Sequence, residues 1–174
     1  LTSTITVAVN DGSSDNNFDP VADQTVSATT TADDTAGFTI VQSSGSTSVA
    51  ESGTTDTFTI VLNAQPASDV VLSISSSDTG EATVTSLLSF TSGNWNSAQT
   101  VTVTGADDNL VDGPQTSTLT ISIVDAVTDD NFDSVADQTV SATTTDNDVA
   151  GFTIVQSGGS TSVSESGSTD TFTV

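Results

Sequence analysis

Cysteine, lysine, arginine, histidine, methionine and tyrosine are all absent from this 174-residue sequence, and tryptophan occurs once. Without cysteine there are no disulfides and no thiolate metal sites. Without lysine there is no Lys–Asn isopeptide cross-link, so non-covalent forces alone hold the chain together. The missing Lys and Arg also leave no trypsin-type cleavage site, which suits a protein that persists outside the cell. For catalysis only carboxylates, hydroxyls and amides remain, with no His, Cys or Lys to serve as a tunable base or nucleophile.

What is present is acidic. Twenty-three Asp and Glu face no cationic side chain, for a formal charge of −23. Such a chain repels phosphate backbones and anionic lipid surfaces and has none of the side chains that grip them, which argues against nucleic-acid partners and membrane association. No run approaches the ~20 apolar residues of a membrane span, and no basic-then-apolar leader opens the sequence. Hydrophobic residues make up 33% of the chain and alternate regularly with Thr and Ser, which marks a folded chain rather than a disordered one.

The sequence repeats. Residues 1–60 align with residues 115–174 without a gap at roughly 70% identity, a period of about 114 residues. Phe18-Asp19-Pro20-Val21-Ala22-Asp23-Gln24 returns as Phe132-Asp133-Ser134-Val135-Ala136-Asp137-Gln138, and Gly37-Phe38-Thr39-Ile40 as Gly151-Phe152-Thr153-Ile154. The expected organisation is therefore residues 1–36 as the end of a preceding repeat, 37–150 as one complete repeat, and 151–174 as the start of the next. A shaped substrate cleft fits poorly with serial near-identical units, so even a two-carboxylate glycosidase is disfavoured and the chain reads as a non-enzyme.

Within 37–150, period-2 alternation marks about seven strands and no window has helical spacing. The strands centre on Phe38 and Ile40; Phe58 to Leu62; Val70 to Ile74; Val84 to Phe90; Val101 and Val103; Leu119 to Ile123; and Val135 to Thr144. Seven short strands with one apolar face each predict an all-β, Ig-like antiparallel β-sandwich. Thr supplies the outer face. The acids avoid strand centres and gather in connections.

These residues carry a resemblance. Val49-Ala50-Glu51-Ser52-Gly53 ahead of Phe58-Thr59-Ile60-Val61-Leu62, Leu88-Ser89-Phe90 leading into Val101-Thr102-Val103-Thr104-Gly105-Ala106-Asp107-Asp108, and the junction Asp146-Asn147-Asp148-Val149-Ala150-Gly151-Phe152 together resemble the Calx-β domain of exchanger loops and bacterial surface proteins. Phe90-Thr91-Ser92-Gly93-Asn94-Trp95-Asn96 resembles tandem repeats of giant bacterial extracellular proteins. The resemblance implies calcium at one tip of the sandwich, with Glu51, Asp107, Asp108, Asp112, Asp146 and Asp148 as ligands and Asp78 or Glu81 beside them. Hard oxygens in such number are what Ca²⁺ takes, whereas scattered acids elsewhere simply solvate loop ends. Asn147 stands where the family has an acid, and Leu110-Val111 occupy positions where it often places another, which implies fewer ions than the family maximum.

Three further features stay open between readings. Asp129-Asp130-Asn131-Phe132-Asp133 has the alternating oxygens of an EF-hand opening without its Gly and closing Glu, and better fits a long hairpin loop whose Asx side chains cap its own backbone while Phe132 packs inward. Trp95 is either a sugar-stacking platform or a plug for the end of the sandwich. Thr29-Thr30-Thr31 and Thr143-Thr144-Thr145 are either O-glycan sites or ordinary exposed strand.

The functional expectation is a structural or adhesive protein, extracellular or at the cell surface and of bacterial type, whose repeats form a calcium-stiffened rod or filament shaft. Its partners would be the neighbouring repeats of the same chain, with identical chains alongside it in a filament. The alternative is a carbohydrate- or protein-binding module acting by avidity in a repetitive adhesin.

Overall fold

The computed structural model describes all residues, Leu1–Val174. They fall into two compact units, Leu1–Thr35 and Ala36–Val174. The first unit is a hairpin of β1 (Thr2–Val7) and β2 (Gln24–Thr29). The second begins with β3 (Phe38–Gln42), β4 (Thr47–Ala50), β5 (Thr55–Leu62), β6 (Val70–Ser76) and β7 (Ala82–Val84). It continues through β8 (Leu87–Phe90), β9 (Gln99–Gly105), β10 (Gln115–Ile123), β11 (Gln138–Thr145), β12 (Val155–Gln156) and β13 (Phe172–Thr173).

The protein is an all-β sandwich. One sheet has the order β3-β5-β9-β7 and the other β4-β11-β10-β6-β8. Neighbouring strands are antiparallel except β4 and β11, which run parallel with Thr47 opposite Ala142 and Ala50 opposite Thr145. Alternation places Phe58, Ile60, Val101 and Val103 of the first sheet in one core with Leu72, Ile74, Leu119, Ile121 and Val140 of the second. Each such side chain contributes about 1.5–3 kcal/mol on leaving water.

The expected seven runs become nine strands because the run from Val84 to Phe90 divides between the sheets and β4 lies outside the seven runs. Thr85 donates its N–H to Thr102 of β9 while its neighbour Ser86 accepts from Ile74 of β6. Ala82, Val84, Leu88 and Phe90 nevertheless stay on one alternating phase, so the sequence reads as a single strand. The chain also passes from one sheet to the other between β3 and β4, across a turn at Ser43–Ser46 where Gly45 takes a left-handed φ of 79°. These hand-overs stitch the two sheets together along both long edges. Side-chain amides shield two edge carbonyls: Gln138 donates to Phe38 O and Gln99 to Ser89 O.

Entry and exit lie at opposite ends. Gln138, the first residue of β11, bonds Phe38 O, so the chain enters at the level where β11 begins. Glu51 N–H reaches Thr145 O at 3.2 Å, so the exit lies beside the turn after β4. The entry end is closed by Phe132, which is 2% exposed, and by half-buried Trp95, both packed on the core. Of the two readings of Trp95, this packing matches the plug.

Local geometry recurs at the sequence period. The β1–β2 register, Thr2 opposite Thr29 through Val7 opposite Gln24, is that of β10–β11 shifted by 114 residues. The Asx turn of Asp15 to Asn17 matches that of Asp129 to Asn131. Asp170 accepts from Ser157 and Ser162 as Asp56 does from Ser43 and Ser48. Burial does not recur. Ile5 and Phe18 are 54% and 60% exposed, whereas the corresponding Leu119 and Phe132 are 0% and 2% exposed.

Candidate metal centre

The tip where β11 exits is assembled by close backbone contacts. Gly53, at φ 80°, turns the chain after β4 and donates its N–H to Ala50 O. Gly105 ends β9 so tightly against that turn that a Cβ there would lie 2.0 Å from Ala50 O. Thr54 Oγ1 accepts from Ala50 N–H, which fixes Glu51 at the apex. Glu81 enters from the turn between β6 and β7, its carbonyl held by Ala106 N–H and by the buried Thr144 hydroxyl. Asp112 comes from the loop after β9, and Asp146 and Asp148 directly follow β11.

Carboxylate oxygens of Glu51, Glu81 and Asp112 lie within 4.8 Å of one another, and so do those of Glu51, Asp146 and Asp148. Glu51 is 1% exposed and Glu81 7%. Glu81 Oε2 and Asp148 Oδ2 are buried without any hydrogen-bond partner. Buried carboxylates normally find donors, since an unpaired charge in a low-dielectric site is costly. Asp146 is the satisfied member, accepting from Gly113 N–H at 2.7 Å and Asp148 N–H at 2.6 Å.

The electrostatics follow this division. Burial raises the pKa of Glu81, with Asp112, Glu51, Asp108 and Asp78 adding repulsion. Burial likewise raises Asp148, followed by the fields of Asp146 and Asp107. At Glu51 the hydrogen bond from Asn147 N–H is the largest single influence and pulls the pKa down. Burial together with Asp146, Asp108 and Asp148 outweighs it, and the net direction is upward. Asp146 is lowered by the N–H bonds of Asp148 and Gly113. Carboxylates that resist ionisation because they are buried and, beyond that, because they crowd one another fit a hard divalent cation, which supplies the missing positive charge and wants oxygen ligands. Ca²⁺ suits the set, with Glu51 between the two triads.

Of the eight residues expected as ligands, five converge here: Glu51, Glu81, Asp112, Asp146 and Asp148. Asp108 is half-buried beside them but its Oδ1 accepts Leu110 N–H. Asp107 is exposed and accepts from the Asn147 side chain at 3.1 Å. Asp78 caps its own turn through Gly80 N–H. Asn147, expected as a lost ligand, is a donor that ties Glu51 to Asp107. Sequence spacing carried no signal for that role.

The Asp129 loop caps its own backbone through Asn131 and is tied to the β5–β6 connection through Ala67 and Ser68. Asp129, 3% exposed, accepts from Ala67, Ser68 and Asn131 N–H, and its pKa falls to about 2, the Ser68 and Asn131 bonds leading. With Phe132 packed inward, the capped-loop reading describes this segment.

Fold and site together define an acid-tipped β-sandwich. No protein family and no curated protein matches the sequence. Among solved structures, the apo-form Calx CBD1 domain is 14% identical, over 64% of this chain and 98% of that one, with a TM-score of 0.45. Domains 1–6 of the surface layer protein SbsC are 19% identical over 99% of this chain, at a TM-score of 0.49, and the chain spans 25% of their length. SSP-19, an MSP-domain-like protein of Caenorhabditis elegans, is 18% identical over 61% of this chain and 97% of its own, with a TM-score of 0.40. At identities this low, these likenesses carry no function over to this chain. No helix is long and apolar enough to cross a membrane.

Proposed function

We propose that the chain is a stretch of a surface or extracellular shaft, built from end-to-end β-sandwich repeats and stiffened by Ca²⁺ at each acidic tip. In this reading 37–150 is one repeat, and 1–36 and 151–174 belong to its neighbours. The carrying observation is the pair of buried, partnerless oxygens, Glu81 Oε2 and Asp148 Oδ2, within the two carboxylate triads. Entry and exit at opposite ends support serial stacking. The exposed Ile5, Phe18, Phe152 and Phe172, whose counterparts one period away are Leu119, Phe132, Phe38 and Phe58, support the assignment of the flanks. The role in this reading is structural: the acids hold a cation that ties the turn after β4 to the chain leaving β11.

Glu51, Glu81, Asp112, Asp146 and Asp148 would hold the ion or ions, leaving water for the remaining positions. At calcium ten to a hundred times the dissociation constant, each site adds about 1.4–2.7 kcal/mol by mass action. Calorimetric titration of the chain with CaCl₂, and separately with MgCl₂, tests the reading. Saturable calcium binding that is lost in Glu81→Gln together with Asp148→Asn is expected. No heat beyond dilution in the wild type would remove the metal from the account.

A further inference from the structure

We infer that β4 and β11 form a mechanical clamp, a force-resisting element that makes the sandwich unfold at high tension along the chain. The parallel pair is the only one in the sandwich, and it joins the strand run that enters the repeat to the strand that leaves it. Tension between the flanks pulls the entering run toward one end and β11 toward the other. Because the two strands are parallel and entry and exit lie at opposite ends, that load acts along both strand axes. The paired residues Thr47–Ala50 and Ala142–Thr145 then carry it together, in shear, instead of parting one bond at a time.

Neighbouring contacts reinforce the pair. Glu51 N–H extends it to Thr145 O, and the Thr145 hydroxyl bonds Val49 O at 3.3 Å. Ser48 and Ala50 direct their N–H groups away from β11, to Asp56 and Thr54, which anchors β4 to β5 and to the turn that follows β4. By alternation Val49 and Glu51 are the residues that face β11 with their backbone. Gly105 locks the far side, its backbone against Ala50. Glu51 directly follows β4 while Asp146 and Asp148 directly follow β11, so a cation in that triad cross-links the two strands at their exit ends. The clamp rests on the shaft reading only for the origin of the load; its geometry belongs to the single sandwich.

The test is force spectroscopy on the whole chain, held at Leu1 and Val174, in metal-free buffer and then in millimolar Ca²⁺. A single high-force event is expected, lengthening the chain by about 35 nm as Phe38 to Thr145 is drawn out. Forced unfolding reports the barrier rather than the equilibrium, so variants must be compared at matched thermal stability. Val49→Pro, which removes a clamp N–H, and the milder Thr145→Ala, which removes only the hydroxyl bond, are set against Leu88→Ala in β8, off the load path. Val49→Pro should lower the unfolding force by roughly a half, Thr145→Ala by less, and Leu88→Ala little. If all three lower the force merely in proportion to their loss of melting temperature, there is no clamp. A high force that depends on β4 and β11 but does not respond to calcium keeps the clamp and removes the cation from the shaft reading.

Discussion

Two buried acids of this protein behave in opposite ways, and the hydrogen bonds around them explain why. Asp129 is surrounded by N–H donors, so ionisation is favoured and its pKa falls to about 2. It contributes stability at pH above the ordinary 3.8, lost as the pH falls toward 2. Glu81 has no donor on Oε2, and burial raises its pKa from 4.5. Its protonated form contributes stability that is full below 4.5 and is lost as the pH rises through the raised value. In metal-free buffer the melting temperature should therefore rise on acidification from neutral pH toward 4.5, then fall at lower pH. The rise should shrink in Glu81→Gln, which separates the tip from the general repulsion of a chain carrying −23. Glu81→Gln should itself melt higher than wild type without metal; a lower midpoint there would contradict the unpaired-charge account. Asp129→Ala should cost about 2–3 kcal/mol in denaturant unfolding, with or without calcium, because two N–H groups of the β5–β6 connection lose a charged acceptor.

At the scale of elements, the hand-overs between sheets decide the architecture, and the end of β9 closes against the turn after β4. Gly105→Ala drives a methyl into Ala50 O and should destabilise by at least the upper end of the about 1–3 kcal/mol usual for overpacking. Urea titration of the variant checks this, and a loss below ~0.5 kcal/mol would mean that the turn after β4 yields freely. Period-2 alternation made the strands and the sandwich legible because burial of one face is a local pattern. It could not show that β7 and β8 lie in different sheets, since Val84 and Leu88 keep the same phase across the switch. It missed β4 as a strand because Thr47 and Val49 pair with β11, nearly a hundred residues away. Likewise the acids of the tip could be enumerated, but not divided. Asp78 and Asp108 accept N–H groups of their own turns, whereas Glu81 is buried with an unpartnered oxygen, and that division depends on turn geometry.

At the scale of the molecule, a sequence period of about 114 residues meets a single direction of the chain through the sandwich. In the proposed shaft, a 114-residue repeat that takes the chain in at one end and releases it at the other would build length, and a cation would sit at the exit tip, where Glu81 Oε2 and Asp148 Oδ2 have no partner. The measurement that bears most directly on this is thermal unfolding of the chain in millimolar Ca²⁺, in metal-free buffer and in millimolar Mg²⁺. The account predicts a calcium-specific rise in the midpoint that disappears when Glu81→Gln and Asp148→Asn are combined. An identical midpoint in all three buffers would contradict it, leaving the carboxylates of the tip as a repulsive surface and the sandwich to stand on its apolar core alone.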